Sequence, residues 1–214
     1  CRVRLIDCVG YMVEGAMGHE EDAKPRMVKS PWFEQEVPFD LAAETGTRKV
    51  ICEHSTIGIV VTTDGSVSDI PREGYARTEK RIVEELNALG KPYIILLNST
   101  HPDAPETKQL AEGMARDYDH TVLPVSCVDL DAEALGRILR QVLYEFPVRE
   151  LDFAIPRWVT MLDRGHWLQT EIYTAALDFS EKISRMKDVP AQNSAGALAS
   201  DSVERSTLSG MDLS

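Results

Sequence analysis

Arg4-Leu5-Ile6-Asp7-Cys8-Val9-Gly10 reads as a short buried strand that runs out into Asp-x-x-Gly. Val3 to Asp7 is the first of four such runs. Thr56 to Thr63 closes in Asp64-Gly65, Tyr93 to Leu97 in Asn98-Ser99, and Thr121 to Val125 in Ser126. Continuous apolar runs of this length suit strands covered on both faces. Helical patterns lie between them, over Phe39 to His54, Glu73 to Leu89, Glu106 to Tyr118 and Ala132 to Tyr144. Gly90 and Pro92 stop the second helix, a proline stands near the first turn of the third, and Asp131 is placed to cap the fourth. Strand alternating with helix predicts an α/β fold with a mostly parallel sheet and right-handed crossovers. Ligands in such sheets sit at the carboxyl ends of the strands. Asp7, Asp64, Asn98 and Ser126 all fall there.

Two regions stand outside this rhythm. Tyr11 to Pro38 is long and irregular, broken by Gly15, Gly18, Pro25, Pro31 and Pro38. A stretch like this is more often functional or mobile than filler. Past Phe146-Pro147 the alternation ends, so a first domain is expected over residues 1–147 and the beginning of a second over 148–214. Within the second, Pro156 to Val159 reads as extended, and Trp167 to Met186 as an amphipathic helix. Residues 190–214 are rich in Ser, Ala and Gly and have little core-forming power.

The 214 residues are 43% hydrophobic and 27% charged, ordinary for a globular protein. The formal net charge of −12 opposes non-specific binding to a phosphate backbone, so no nucleic acid partner is expected. Cys1, Cys8, Cys52 and Cys127 form no Cys-x-x-Cys pair, which disfavours a zinc site. Three of them read as small buried hydrophobes in a reducing, cytosolic compartment. No His-Glu-x-x-His and no Gly-x-Ser-x-Gly occurs. Trp158 and Trp167 read as core or interface anchors.

The chemistry rests on Asp7 and Gly10. A carboxylate at a strand end can hold Mg²⁺ through a water, because Mg²⁺ dehydrates reluctantly. A glycine lets its backbone N–H approach a phosphate oxygen unobstructed. Together they resemble the metal edge of a P-loop nucleotide hydrolase; the competing reading is an Asp that merely caps a turn. Asn98-Ser99-Thr100-His101 stands where GTPases carry Asn-Lys-x-Asp. An imidazole at His101 cannot offer a guanine edge the two acceptors of a carboxylate, which favours ATP or a loose base pocket. Asn98 as a plain turn residue is the alternative. Ser126 falls where the last base-contacting loop would lie, or is an ordinary loop serine. No glycine-rich phosphate loop precedes Asp7 and the first residue is Cys1, so the stretch reads as interior to a longer protein.

Arg4 to Tyr11, Pro31-Trp32, Glu44 to Val50, Glu53 to Gly58, Thr62 to Gly65, Gly90 to Pro92, Leu143 to Val148 and His166 to Leu168 together carry a specific resemblance. The chain resembles the stage IV sporulation protein A family of spore-coat morphogenetic ATPases, from its first residue to about Val189. The resemblance implies part of a P-loop NTPase domain of GTPase-like fold that hydrolyses ATP, followed by the start of a middle domain. It implies ATP and Mg²⁺ as ligands, with Asp7 as the catalytic and metal-binding Walker B carboxylate. Gly10, Asn98 and Ser126 would then be nucleotide-binding positions. It also implies self-association into a polymer at the base of the spore coat, on the mother-cell face of the forespore membrane. Partners would be a small amphipathic membrane-anchoring peptide and other spore coat proteins. Two other readings stay open: a scaffold that binds nucleotide without needing turnover, and a GTPase of the same fold.

Overall fold

The structure is a computed structural model that describes residues 4–16, 20–21 and 24–189. The expectations for Cys1, Val3, Gly18 and the 190–214 tail lie outside the described residues. The chain folds as two compact units, Cys1–Val142 and Leu143–Ser214.

In the first unit, residues 4–13 have no regular secondary structure, and Leu5, Ile6 and Val9 are 67%, 42% and 70% exposed. The expected buried strand Val3 to Asp7 is therefore not formed over its described part. An apolar run becomes a strand by pairing its backbone with a ladder, and among the described residues no strand pairs with this one. The irregular stretch that follows holds two short antiparallel pairs. Strands β1 (Glu20–Glu21) and β2 (Lys24–Pro25) form one, and β3 (Met27–Val28) and β4 (Val37–Pro38) the other.

Helix α1 spans Phe39–Lys49 and continues into a π-helical turn, Val50–His54. The Lys91 ammonium donates to the carbonyls of Ile51, Cys52 (3.0 Å) and Ser55 (2.6 Å). A cation there satisfies helix-end carbonyls that have no intrahelical donor. Then β5 (Gly58–Thr63), α2 (Arg72–Leu89), β6 (Tyr93–Asn98), α3 (Pro105–Tyr118), β7 (Val122–Val125) and α4 (Ala132–Tyr144) alternate as expected. The strands form a parallel sheet in the order β5-β6-β7.

Local chemistry sets the helix ends. Gly90 closes α2 in the left-handed region at φ 62°, which glycine adopts without a Cβ penalty. The Asp131 carboxylate accepts the Ala134 N–H at 2.7 Å at the start of α4. Strand β6 is the centre of the core: Tyr93, Ile94, Ile95, Leu96 and Leu97 are each at most 5% exposed. Burying each Ile or Leu contributes about 1.5–3 kcal/mol. Val83 and Leu86 of α2 and Ala111 and Met114 of α3 pack in the same cluster as Tyr93, Ile95 and Leu97. Leu89, by contrast, is 41% exposed.

In the second unit, Pro147 bridges Arg185, and the Val148 N–H donates to the Ser184 carbonyl at 3.0 Å. Arg185 and Lys187 neutralise the buried Glu145 carboxylate at 3.0 and 3.4 Å. The stretch expected to be extended is a short helix, α5 (Arg157–Thr160). Pro156 sits at its N-cap and leads the chain into the turn. Helix α6 spans Trp167–Glu181, shorter than expected. The chain turns beyond it, where the Asp188 carboxylate accepts the N–H groups of Ser184 and Arg185 at 3.0 and 2.7 Å. Trp158 and Trp167 are 57% and 65% exposed, so neither is a core residue.

Candidate functional site

The carboxyl edge of the parallel sheet carries a polar network. Its strand ends are joined by backbone bonds: Asp64 N–H to Asn98 O at 3.4 Å and Ser99 N–H to Val125 O at 2.9 Å. The Asn98 side-chain oxygen accepts the Cys127 N–H at 2.9 Å, tying the loop after β6 to the loop after β7. Ser126 turns to its own loop and donates its hydroxyl to Asp129 at 2.6 Å. The sheet thus brings the expected positions Asn98 and Ser126 to one edge, with Asn98 spending its acceptor on the protein.

Asp64 anchors the loop after β5. One carboxylate oxygen accepts the Ser66 N–H (2.9 Å) and hydroxyl (2.6 Å); the other accepts the Thr107 hydroxyl at 3.4 Å. Burial opposes its charge, but hydrogen bonds from Ser66, Ser99 and Thr107 outweigh it and hold the carboxyl below the usual Asp range. Ser66 in turn accepts the Thr100 N–H at 2.9 Å, and Ser99 accepts the His101 N–H at 2.9 Å. Sequence reading placed Asp64 at a strand end and assigned it no role. Its signal was a carboxylate followed by glycine at the same place in the rhythm as Asn98 and Ser126.

Asp7 and Gly10 belong to no strand of this sheet. With residues 4–13 irregular, Asp7 is not at the end of a sheet strand. It is exposed, and its carboxylate has no hydrogen-bond or ion-pair partner among the described residues. Among the described residues no hydrogen bond or ion pair joins Asp7 or Gly10 to Asn98 or Ser126. Gly10 sits at φ +86°, in the region that favours glycine, with nothing within 4 Å of the place a Cβ would take. Its N–H donates to the Thr47 hydroxyl of α1 at 3.0 Å, and that hydroxyl faces the Gly10 carbonyl at 3.3 Å.

The segment after Gly10 is strapped to α2. Tyr11 donates its hydroxyl to Glu85 at 2.7 Å, Thr78 donates to the Met12 carbonyl at 2.9 Å, and the Glu14 N–H donates to the Gly74 carbonyl at 3.3 Å. Arg81 lies over the Tyr11 ring at 5.5 Å and holds Glu44 of α1 with two hydrogen bonds, at 2.9 and 2.7 Å. This strap begins the stretch that composition marked as irregular, and sequence reading missed its partners because they come from α2, far along the chain.

The residues can be tested against Mg²⁺ and a nucleotide. No group of three or more metal-ligating side chains occurs among the described residues. A free, exposed carboxylate such as Asp7 fits Mg²⁺ in the form it usually takes, held by one or two carboxylates, phosphate and water. The Gly10 N–H fits a phosphate oxygen once its bond to Thr47 is exchanged. The described cysteines offer no further site: Cys8 and Cys127 are half-buried and Cys52 is exposed, all three free thiols. They are not the fully buried hydrophobes expected.

The model of the stage IV sporulation protein A ATPase domain matches residues 1–147, and that of the family's middle domain matches residues 148–214. The chain belongs to the stage IV sporulation protein A family. Stage IV sporulation protein A of Bacillus anthracis is 46% identical over 187 residues, and that of Bacillus subtilis (strain 168) 45% identical over 187. The Clostridioides difficile (strain 630) protein of the same name is 43% identical over 188 residues. These alignments cover 87–88% of the chain and 38% of each relative's length. No solved structure matches the chain with significance. The ATPase domain of the stage IV sporulation protein A family is P-loop-like, and the three-stranded parallel sheet is part of that α/β fold.

Proposed function

We propose that the chain is part of an ATPase that acts in sporulation, hydrolysing ATP to drive self-assembly into the base layer of the spore coat. The observation that supports this most is the match of the ATPase-domain family over residues 1–147, which includes Asp7-x-x-Gly10. Asp7 is the catalytic carboxylate that holds Mg²⁺ through water. When bound, the metal ion neutralises charge developing on the transferred phosphate. Gly10 presents its N–H to the terminal phosphate.

Asn98 and Ser126 shape the base side from the sheet edge. Asn98 does so by holding the Cys127 peptide, and His101 stands where a guanine-reading carboxylate would be. ATP is therefore the nucleotide of this reading. The polymer would lie on the mother-cell face of the forespore membrane, in contact with a small amphipathic anchoring peptide and further coat proteins.

The test is ATP turnover and polymerisation by the full-length protein carrying Asp7→Ala. Both are expected to fall to background while ATP binding persists. Normal turnover overturns the assignment of Asp7, and preferential hydrolysis of GTP in competition overturns the choice of nucleotide.

A further inference from the structure

Thr47 is a side chain the proposed mechanism does not use, yet it holds the peptide that mechanism needs. It is 3% exposed and sits on the buried face of α1. Its hydroxyl accepts the Gly10 N–H at 3.0 Å and lies 3.3 Å from the Gly10 carbonyl. One N–H makes one good hydrogen bond, because the D–H···A angle must stay near linear. A phosphate oxygen and the Thr47 hydroxyl therefore compete for the same proton.

The surroundings define how the exchange occurs. Immediately after Gly10 the chain is tied to α2 through Tyr11, Met12 and Glu14. Gly10 is the link between that strap and the exposed Asp7 segment, and its φ of +86° is one that glycine crosses freely. No atom lies within 4 Å of its absent side chain. The Gly10 peptide can reorient about this point while the strap stays on α2.

We infer that Thr47 is a positioning residue for nucleotide: its hydroxyl holds the Gly10 N–H on α1 when the terminal phosphate is absent and yields it when that phosphate is bound. The inference rests on the reading of Gly10 as the terminal-phosphate contact. Thr47 then acts as a discriminator. It opposes ATP, which must break the bond, and is indifferent to ADP, which has no phosphate to claim the N–H. Removing the hydroxyl raises the free energy of the ATP-free state alone.

Equilibrium binding of a slowly hydrolysed ATP analogue and of ADP to the full-length protein tests this. Thr47→Val, which keeps the shape and removes the hydroxyl, is expected to tighten the analogue by about fivefold, the worth of one neutral hydrogen bond. It should leave ADP unchanged. Thr47→Ser, which keeps the hydroxyl, should restore the wild-type ratio.

Equal changes for both ligands, no change, or weaker analogue binding overturns the inference and leaves the nucleotide reading standing. Failure of the wild-type protein to bind the analogue overturns both. A nitrogen-15 label at Gly10 decides the matter without substitution. Its amide signal should move with the analogue and not with ADP, and the same response to both ligands overturns the inference.

Discussion

The Arg72 guanidinium grips the buried Glu79 carboxylate with two parallel hydrogen bonds, each 2.8 Å long. Tyr118 of α3 adds its hydroxyl to the same carboxylate at 2.8 Å. The Glu79 side chain is 2% exposed and that of Arg72 19%. A charged pair so far from water is costly to break from one side, because the survivor remains buried and uncompensated. Arg72→Met is expected to destabilise by about 3–5 kcal/mol, measured by urea unfolding. Replacing both residues with apolar ones should recover much of that loss. Burial, and then the bond to Glu79, also push the Tyr118 phenol well above its usual value, so it should remain unionised in mildly alkaline spectrophotometric titration.

Asp64 gives the stability a defined acid dependence. Its folded-state carboxyl is held below the usual Asp value, as is that of Asp188, where N–H and hydroxyl groups of Ser184 and Arg185 outweigh burial. A depressed folded value means the unfolded chain takes up protons first as pH falls. The stabilisation is fully present above an unfolded pKa of about 3.9 and is lost as pH falls through the folded one. Asp64→Asn should flatten this acid limb in pH-dependent unfolding without steepening it above neutrality.

Gly74 is confined by neighbours. An added Cβ would stand 2.7 Å from Ile70 Cγ2 and 2.8 Å from the Glu14 carbonyl oxygen, closer than real Cβ contacts. The carbonyl belongs to the strap, so Gly74→Ala should lift residues around Glu14 off α2. A destabilisation of about 1–3 kcal/mol is expected. Hydrogen exchange should speed up at the Glu14 amide first.

Asn98→Ala removes the acceptor of the Cys127 N–H and leaves that group unpaired in a half-buried place. A loss of about 1–3 kcal/mol follows. ATP affinity should fall with it, because the loops after β6 and β7 lose their tie. Asn98→Asp retains an acceptor at that point and should retain most of the stability.

The sheet was legible in the sequence because each strand declares itself locally. Tyr93 to Leu97 is apolar at every position, and the structure buries all five residues. Arg4 to Gly10 carries a similar pattern in its first half and yet forms no strand, since a strand also needs a neighbour in register. Pro156 to Val159 was misread for a related reason. A proline biases the residue before it toward extended backbone but equally suits the first turn of a helix. The strap from Tyr11 to Glu14 and the Thr47 bond to Gly10 join residues 37 to 74 positions apart, and no local pattern encodes such pairs.

The sequence by itself determined the alternating α/β plan, the helix stop at Gly90, the helix start at Asp131, and the polar residues at the carboxyl ends of β5, β6 and β7. Propensity, capping and hydrophobic period are properties of neighbouring residues. Tertiary structure alone decided where Asp7 and Gly10 lie, that the Gly10 N–H belongs to Thr47, and that Asn98 serves Cys127. Those outcomes depend on which distant donor meets which acceptor once the helices have packed, and hydrogen-bond geometry is settled at that stage.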